Sequence, residues 1–491
     1  MKNIIKYFTL LLVIISLASC EDFLDVNIDP NNPVTVTPDL VLPTAQLYTA
    51  QVIKNDRRLN TLGNMFMYNW STSDGFSWYT DEYKYNVTSS FYQGIFNDTY
   101  SGALKQYQIL DQLDSTYSCY KAIGKIMKAY HFQLLVDTYG DIPYFEALQR
   151  SGEATPAYDD AKLIYEDLIL QLTAAIKLID DNRSNKVPGA DDIMFGGDMD
   201  SWKQFANSVK LRILVRQSSM SGRDGYIKEQ LNIIAQEGSG FITEDASVNP
   251  GYVAQQDKQS PFWEAYGKDA SGTIQMNNNA TCASDYIINY LKATKDPRID
   301  RIYEKPSTDH LGVPQGLLDY DTPVVDQYMP ALVSNLGPGL LKSASMDAVI
   351  YTLAECYLNQ AEARQRGLIT TGDDAKTLYQ KGIEASFNYL GATGAEGYYL
   401  QNVDLVGWDA SPNKIKAIIT QKWIATNGIT AEQSWFDYNR TKFPANLPVS
   451  MQGSTPDRPV RLAYPSGEFS SNGDNVPAQP NVFTEKIFWA K

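Results

Sequence analysis

Helical spacing dominates the pattern of apolar positions along this chain. Between Met346 and Gln365 the residues Ile350, Leu353, Ala354, Tyr357, Leu358 and Ala361 step by three and four, which predicts one helix over 346–365 with a single apolar face. From Ala161 to Asp180, Ile164, Leu168, Leu172, Ile176 and Ile179 form a second stripe of the same kind. Further helices are expected at about 41–58, 96–115, 119–138, 200–219, 224–236, 283–293, 373–390 and 412–425. No comparable set of alternating strands accompanies them, and short strand pairs are expected only within 240–280 and 300–345. The fold class is therefore mainly α: a helical scaffold with long irregular loops and a few short strands.

An internal echo sharpens this architecture. Asp159-Asp160-Ala161-Lys162-Leu163-Ile164-Tyr165 returns as Asp373-Asp374-Ala375-Lys376-Thr377-Leu378-Tyr379, each time after an Ala-, Tyr- and Leu-rich helix and a Gly-containing turn. An acidic pair at a helix start offers its carboxylate to unpaired backbone N–H groups. Two such units read as helical hairpins of tetratricopeptide type. The stretches 60–95, 183–199, 238–281, 296–345 and 440–491 fall outside the helical pattern, and loops this long in a compact domain tend to carry function.

The N-terminus changes the picture. Lys2 and Lys6 precede an apolar run from Phe8 to Leu17, followed by Ala18, Ser19 and Cys20, the order of parts of a signal peptide. The run is much shorter than the roughly 20 residues that span a hydrocarbon core, so residues 1–19 are expected to be removed. Leu17-Ala18-Ser19-Cys20 resembles the bacterial lipobox, which makes Cys20 the expected lipidation site. Residues 20–39, with three prolines among acids and Asn, read as a lipidated tether, and the domain proper is expected over 40–491. No other segment is long and apolar enough to cross a membrane as a helix.

Loss of residues 1–19 takes Lys2 and Lys6 with it and carries the formal charge from −15 to −17. A chain this acidic lacks the Lys and Arg excess that neutralises phosphates, which argues against nucleic acid as a partner. With Cys20 lipidated, Cys119, Cys282 and Cys356 permit one disulfide at most, and Cys356, on an apolar helical face, is expected in the core.

The densest candidate chemistry lies between Phe66 and Tyr92, where ten of 27 residues are aromatic against a chain average of 12%. They follow no helical stripe and are mixed with Ser, Thr, Asp and Asn. Sugar rings pack C–H faces on aromatic rings while amides and carboxylates take the hydroxyls, so the mixture suits a glycan platform; it would also grip a peptide, or simply fasten a long loop to the scaffold. A second candidate runs from Pro261 to Asn279, with Phe262, Trp263 and Tyr266 ahead of Asn277-Asn278-Asn279, which suits either a turn or amide recognition of a ligand. The expected ligand contacts are Trp78, Tyr79, Tyr83, Trp263 and Asn278.

Little points to catalysis, and no catalytic residue, metal ligand or cofactor is expected. His131 and His310 are the only histidines, and no HExxH, GxSxG, Walker or GxGxxG pattern occurs. His131 reads as a hydrogen-bonded structural residue. Two carboxylates could hydrolyse a glycoside, but acidic pairs such as Asp159-Asp160 and Asp191-Asp192 read as caps and solvated turns.

The motifs together resemble the SusD/RagB outer-membrane lipoproteins of Bacteroidetes, in the SusD-like branch. The resemblance runs through Cys20-Glu21-Asp22-Phe23-Leu24-Asp25 with Asn27 to Pro33, LLVDTYGDIPYFEAL (134–148), LAECYLNQAEARQRG (353–367), ITQKWIA (419–425), WFDYNRT (435–441), RLAYPSGEFSSN (461–472) and the terminal KIFWAK. After WFDY the family pattern usually has two arginines and Thr-Gly, from which Asn439 and Lys442 depart. The resemblance implies a cell-surface lipoprotein with tetratricopeptide-like helices that is a lid over a SusC-like, TonB-dependent outer-membrane transporter. It implies capture of a nutrient, typically an oligosaccharide and in some members an oligopeptide, on loops outside the repeats. The acidic residues after Cys20 resemble the surface-export signal of such lipoproteins.

Overall fold

The computed structural model describes residues 37–149, 152–306, 309–318 and 326–490; Cys20, the signal segment and the tether up to residue 36 lie outside the described residues. Cap chemistry accounts for the helical hairpins. The Asp160 carboxylate accepts from the N–H groups of Lys162 at 3.0 Å and Leu163 at 2.9 Å and starts the helix Ala161–Asp181. Asp374 accepts from Thr377 N–H at 2.7 Å and starts Ala375–Leu390. Each helix packs back on its predecessor, Ser118–Tyr139 and Leu353–Gln365 respectively, so the sequence echo is a repeated hairpin. The helix Met199–Arg216 packs against both helices of the first hairpin and against Leu353–Gln365 of the second, and links them.

Pro38–Lys54, Asp224–Glu237, Asp285–Ala293 and Lys414–Thr426 form where periodicity placed them, although the first begins two residues inside the expected tether. Two differences are instructive. The predicted helix over 346–365 starts as a strand, β6 (Ala348–Tyr351), and becomes helical only after Thr352, whose hydroxyl accepts from Glu355 N–H at 3.0 Å. β6 is buried at every position and rich in β-branched residues, so its side chains satisfy a helical count by accident while its backbone pairs with β4 (Ala246–Val248). The helix Leu59–Phe66 lies where no helix was expected; all eight of its residues are buried, Asn60 and Asn64 included, and two turns are too short a window for a helical period to be read.

The other named strands are equally short: β1 (Trp70–Thr72) pairs antiparallel with β5 (Thr281–Ala283), and β2 (Ile142–Pro143) with β3 (Tyr158–Asp159). Cys119, Cys282 and Cys356 are free thiols in the core. His131 is fully buried and hydrogen-bonded to the Thr49 hydroxyl at 2.8 Å, the structural role read from the sequence. Asp192 corrects the reading of Asp191-Asp192 as a solvated pair: it is buried, and its carboxylate accepts from Gln46 at 2.6 Å, Gly197 N–H at 2.9 Å and Trp202 Nε1 at 2.7 Å. It organises the 183–199 loop from within.

The segments that carry the family resemblance meet in one buried charge network. Arg216 reaches Asp437 at 2.8 Å and Asp137 at 3.2 Å. Arg440 holds Glu362 at 2.5 and 2.8 Å and Asp437 at 3.0 Å, Lys422 reaches Asp437 at 2.7 Å, and Arg212 holds Glu355 bidentately at 2.8 and 2.9 Å. Asp137, Glu355 with Glu362, Lys422, and Asp437 with Arg440 come from four of the resembling segments. Burial alone would raise the Asp437 carboxyl, but Lys422, Arg440 and Arg216 outweigh it and hold the group well below the usual range. These motifs therefore clamp five helices together. The buried network itself is not an open site.

Candidate functional site

The two aromatic segments singled out from the sequence are brought together by β1 and β5, which pair Trp70 with Ala283, Ser71 with Cys282 and Thr72 with Thr281. Beyond this ladder the Ser73 N–H donates to Ala280 O at 3.0 Å, and the Trp78 indole Nε1 donates to Asn277 Oδ1 at 2.7 Å. The short helices Pro261–Tyr266 and Met276–Ala280 pack on each other, and between them Gln275 N–H donates to Gly267 O at 3.0 Å. Loop 73–79 and segment 261–279 thereby form one surface.

Left-handed backbone shapes the first segment. Tyr68, Tyr79, Tyr85 and Tyr92 have φ of 58°, 61°, 52° and 50°, a region that costs a non-glycine residue roughly 1–2 kcal/mol. Each ring is buried, and burial of a large apolar side chain contributes about 1.5–3 kcal/mol, enough to offset the strain. The loop therefore takes this contorted path because its tyrosines turn inward.

That result separates the five expected contacts. Tyr79 is 1% exposed, with its hydroxyl 2.7 Å from Thr281 Oγ1, and Tyr83 is 2% exposed, its ring 6.4 Å from that of Tyr79. Neither reaches the surface, and both fasten the loop from beneath. Burial raises both phenols above their ordinary range, so both stay protonated. Trp78 and Trp263 are half-buried and packed on the core, leaving ring surface at the solvent boundary. The Asn278 amide donates to Tyr266 O at 2.7 Å, a turn-forming bond, while the residue itself stays half-exposed.

Gly267 is the seat of Trp263: a Cβ there would lie 2.5 Å from the indole Cδ2 and 2.8 Å from Trp263 O. Phe76 meets Trp78 edge to face with centroids 5.9 Å apart, and Met276 is largely exposed. Asn277 and Phe76 are the residues sequence reasoning underrated. No signal could have singled out Asn277 within its run, because its partner Trp78 is 199 residues away. Around these rings Asp81 is exposed, and Glu82 is buried with its carboxylate accepting from the Tyr92 hydroxyl at 2.8 Å. The surface offers ring edges and faces beside amides, a chemistry suited to holding hydroxylated rings by stacking and hydrogen bonds.

Two clefts of about 470 Å³ lie elsewhere, one beside Lys125, Lys128, Tyr144 and Phe145, the other between the helix Glu432–Thr441 and the C-terminal segment.

The helical hairpins and the loop-borne aromatic surface define a class of repeat-scaffold binding proteins. A family profile described as "Starch-binding associating with outer membrane" matches residues 30–465, and the chain belongs to this SusD-like family. The fold agrees with solved structures. A chitin-binding SusD homolog from Flavobacterium johnsoniae superposes with a TM-score of 0.76 at 20% identity, covering 92% of this chain and 98% of its own. A SusD homolog from Bacteroides uniformis gives 0.75 at 22% identity, covering 92% and 99%. A further structure described as a chitin-binding protein gives 0.73 at 22% identity, covering 92% and 100%. No curated protein matches the chain. Among the described residues no helix is long and apolar enough to cross a membrane.

Proposed function

We propose that the chain is a non-catalytic receptor that binds an oligosaccharide at the surface built from Trp78, Asn277, Trp263 and Asn278. The observation that carries this reading is the joining of two aromatic, amide-rich segments at Trp78 and Asn277. The family's starch-binding description and the chitin-binding descriptions of two similar structures support glycan over peptide. Trp78 and Trp263 supply the stacking faces, and Asn278 with its neighbours supplies polar contacts to hydroxyls. Tyr79 and Tyr83 act indirectly, by keeping the loop in shape before ligand arrives, which reduces the ordering cost of binding.

In this reading the receptor sits on the cell surface, held by lipid on Cys20 and by the tether that follows it, as the lid of a SusC-like TonB-dependent barrel that imports the captured glycan. Calorimetric titration of the protein with chito- and malto-oligosaccharides against oligopeptides of equal length tests the ligand class; binding of the peptides alone would overturn it. Release of shorter sugars during the titration would instead identify a glycosidase. For the tethered lid, Cys20→Ser is expected to abolish glycan uptake by cells while the domain stays folded, and normal uptake by that variant would contradict the tether.

A further inference from the structure

The cleft between the helix Glu432–Thr441 and the C-terminal segment gathers cations in a chain of formal charge −15. Lys442, Arg458 and Lys486 line it, with Asp457 as the acid on its rim. No salt bridge to any of the three cations occurs among the described residues. Arg458 and Lys442 lie instead over the Tyr438 ring, 5.0 and 5.3 Å from its centroid. A ring quadrupole holds a cation but does not cancel its charge, so repulsion among the three remains. Burial, and after it Lys486 and Arg458, push the Lys442 ammonium below its ordinary range.

Two polar atoms of buried side chains lining the cleft are also unmatched. Arg458 is 7% exposed; its Nη2 donates to Pro448 O at 2.6 Å, but its Nε has no partner among the described residues. Asn439 is 1% exposed; its Nδ2 donates to Val460 O at 3.0 Å, and its Oδ1 accepts nothing. A buried donor or acceptor left without a partner is costly, and both atoms lie beneath the cleft wall, out of reach of solvent. Lys442 adds a third anomaly, because it sits at φ 61° in a left-handed position that glycine occupies without strain.

We infer that the cleft is a second binding site for an acidic sugar, whose carboxylate or sulfate is taken by the exposed Lys442 and Lys486, with Arg458 adding its charge from the cleft wall. The cleft volume of about 470 Å³ suits a small ligand, and the Phe483 ring lining it gives a sugar face something to pack on. The site is separate from the Trp78 surface and does not depend on the proposal made for it.

Titration of the full chain with trigalacturonate and with sulfated maltotriose, beside neutral maltotriose and triglutamate, tests the inference. At least one acidic sugar is expected to bind, and to bind more weakly as NaCl rises from about 50 to about 500 mM. Lys442→Gln and Lys486→Gln are each expected to weaken that binding about tenfold, the loss of one charged hydrogen bond, and to leave neutral-glycan binding unchanged. Trp78→Ala is expected to leave acidic-sugar binding in place, so the two sites fail separately. No binding of either acidic sugar at low salt, unchanged affinity in both lysine variants, or equal affinity for triglutamate would each overturn the assignment.

Discussion

Trp78 Nε1 and Asn277 Oδ1 lie 2.7 Å apart and join two segments separated by 199 residues. The bond fixes the indole over the second segment and makes its orientation depend on one amide. Asn277→Ala is expected to release the ring and weaken oligosaccharide binding roughly tenfold, while costing about 1 kcal/mol of stability, the net worth of one such hydrogen bond. Calorimetry and urea denaturation of the same preparation separate the two effects.

Gly267→Ala tests the seat of Trp263. A methyl group 2.5 Å from the indole Cδ2 cannot fit beside it, and the helix backbone at Trp263 O blocks retreat. The indole must swing out, so its fluorescence should shift to the red and glycan affinity should fall, at a stability cost of about 1–3 kcal/mol. An unchanged emission spectrum would show that the ring is not held there.

The motif-borne charge network predicts a purely structural phenotype. Arg440→Met leaves Glu362 and Asp437 buried with fewer partners, and breaking a buried pair in this way costs about 3–5 kcal/mol. Chemical denaturation should show that loss, and any folded fraction should bind glycan with unchanged affinity.

His131 gives a pH dependence of definite sign. Burial lowers its pKa from 6.5 to about 3, so below pH 6.5 the unfolded chain takes up a proton that the folded chain refuses. The stability that neutral His131 allows is complete above pH 6.5 and is lost as pH falls from 6.5 toward 3, by up to about 1.4 kcal/mol per unit. In His131→Gln that contribution is absent, so the stability gap between wild type and variant should narrow in favour of the variant between pH 7 and pH 4. Parallel stability curves would contradict the buried neutral imidazole.

The sequence was most legible where one side of an element faces water. Asp160 and Asp374 cap helices that the echo had located, and the stripe from Ile164 to Ile179 packs inward as its spacing required. Legibility failed in short elements buried all round, as in Leu59–Phe66 and β6, where polar positions such as Asn60 and Asn64 turn inward to buried partners and four to eight residues are too few to show a period. In the candidate site, aromatic density located the right segments but could not tell Trp78 from Tyr79. One ring reaches the surface and its neighbour is buried because a single residue adopts positive φ, a property of the folded backbone. The motifs of the family resemblance identified the fold truly, yet the charges they bury are structural, and proximity to these motifs was no guide to the Trp78 surface.

The most direct test of the binding surface is a calorimetric titration of the oligosaccharide that the wild-type chain binds best into the Trp78→Ala, Trp263→Ala double variant, with thermal unfolding recorded alongside. Loss of stacking by two rings, at about 1 kcal/mol or more each, predicts a fall in affinity of at least roughly 30-fold, with the unfolding temperature lowered by a few degrees and the domain still folded. Wild-type affinity in a folded double variant would contradict the assignment of the ligand to this surface.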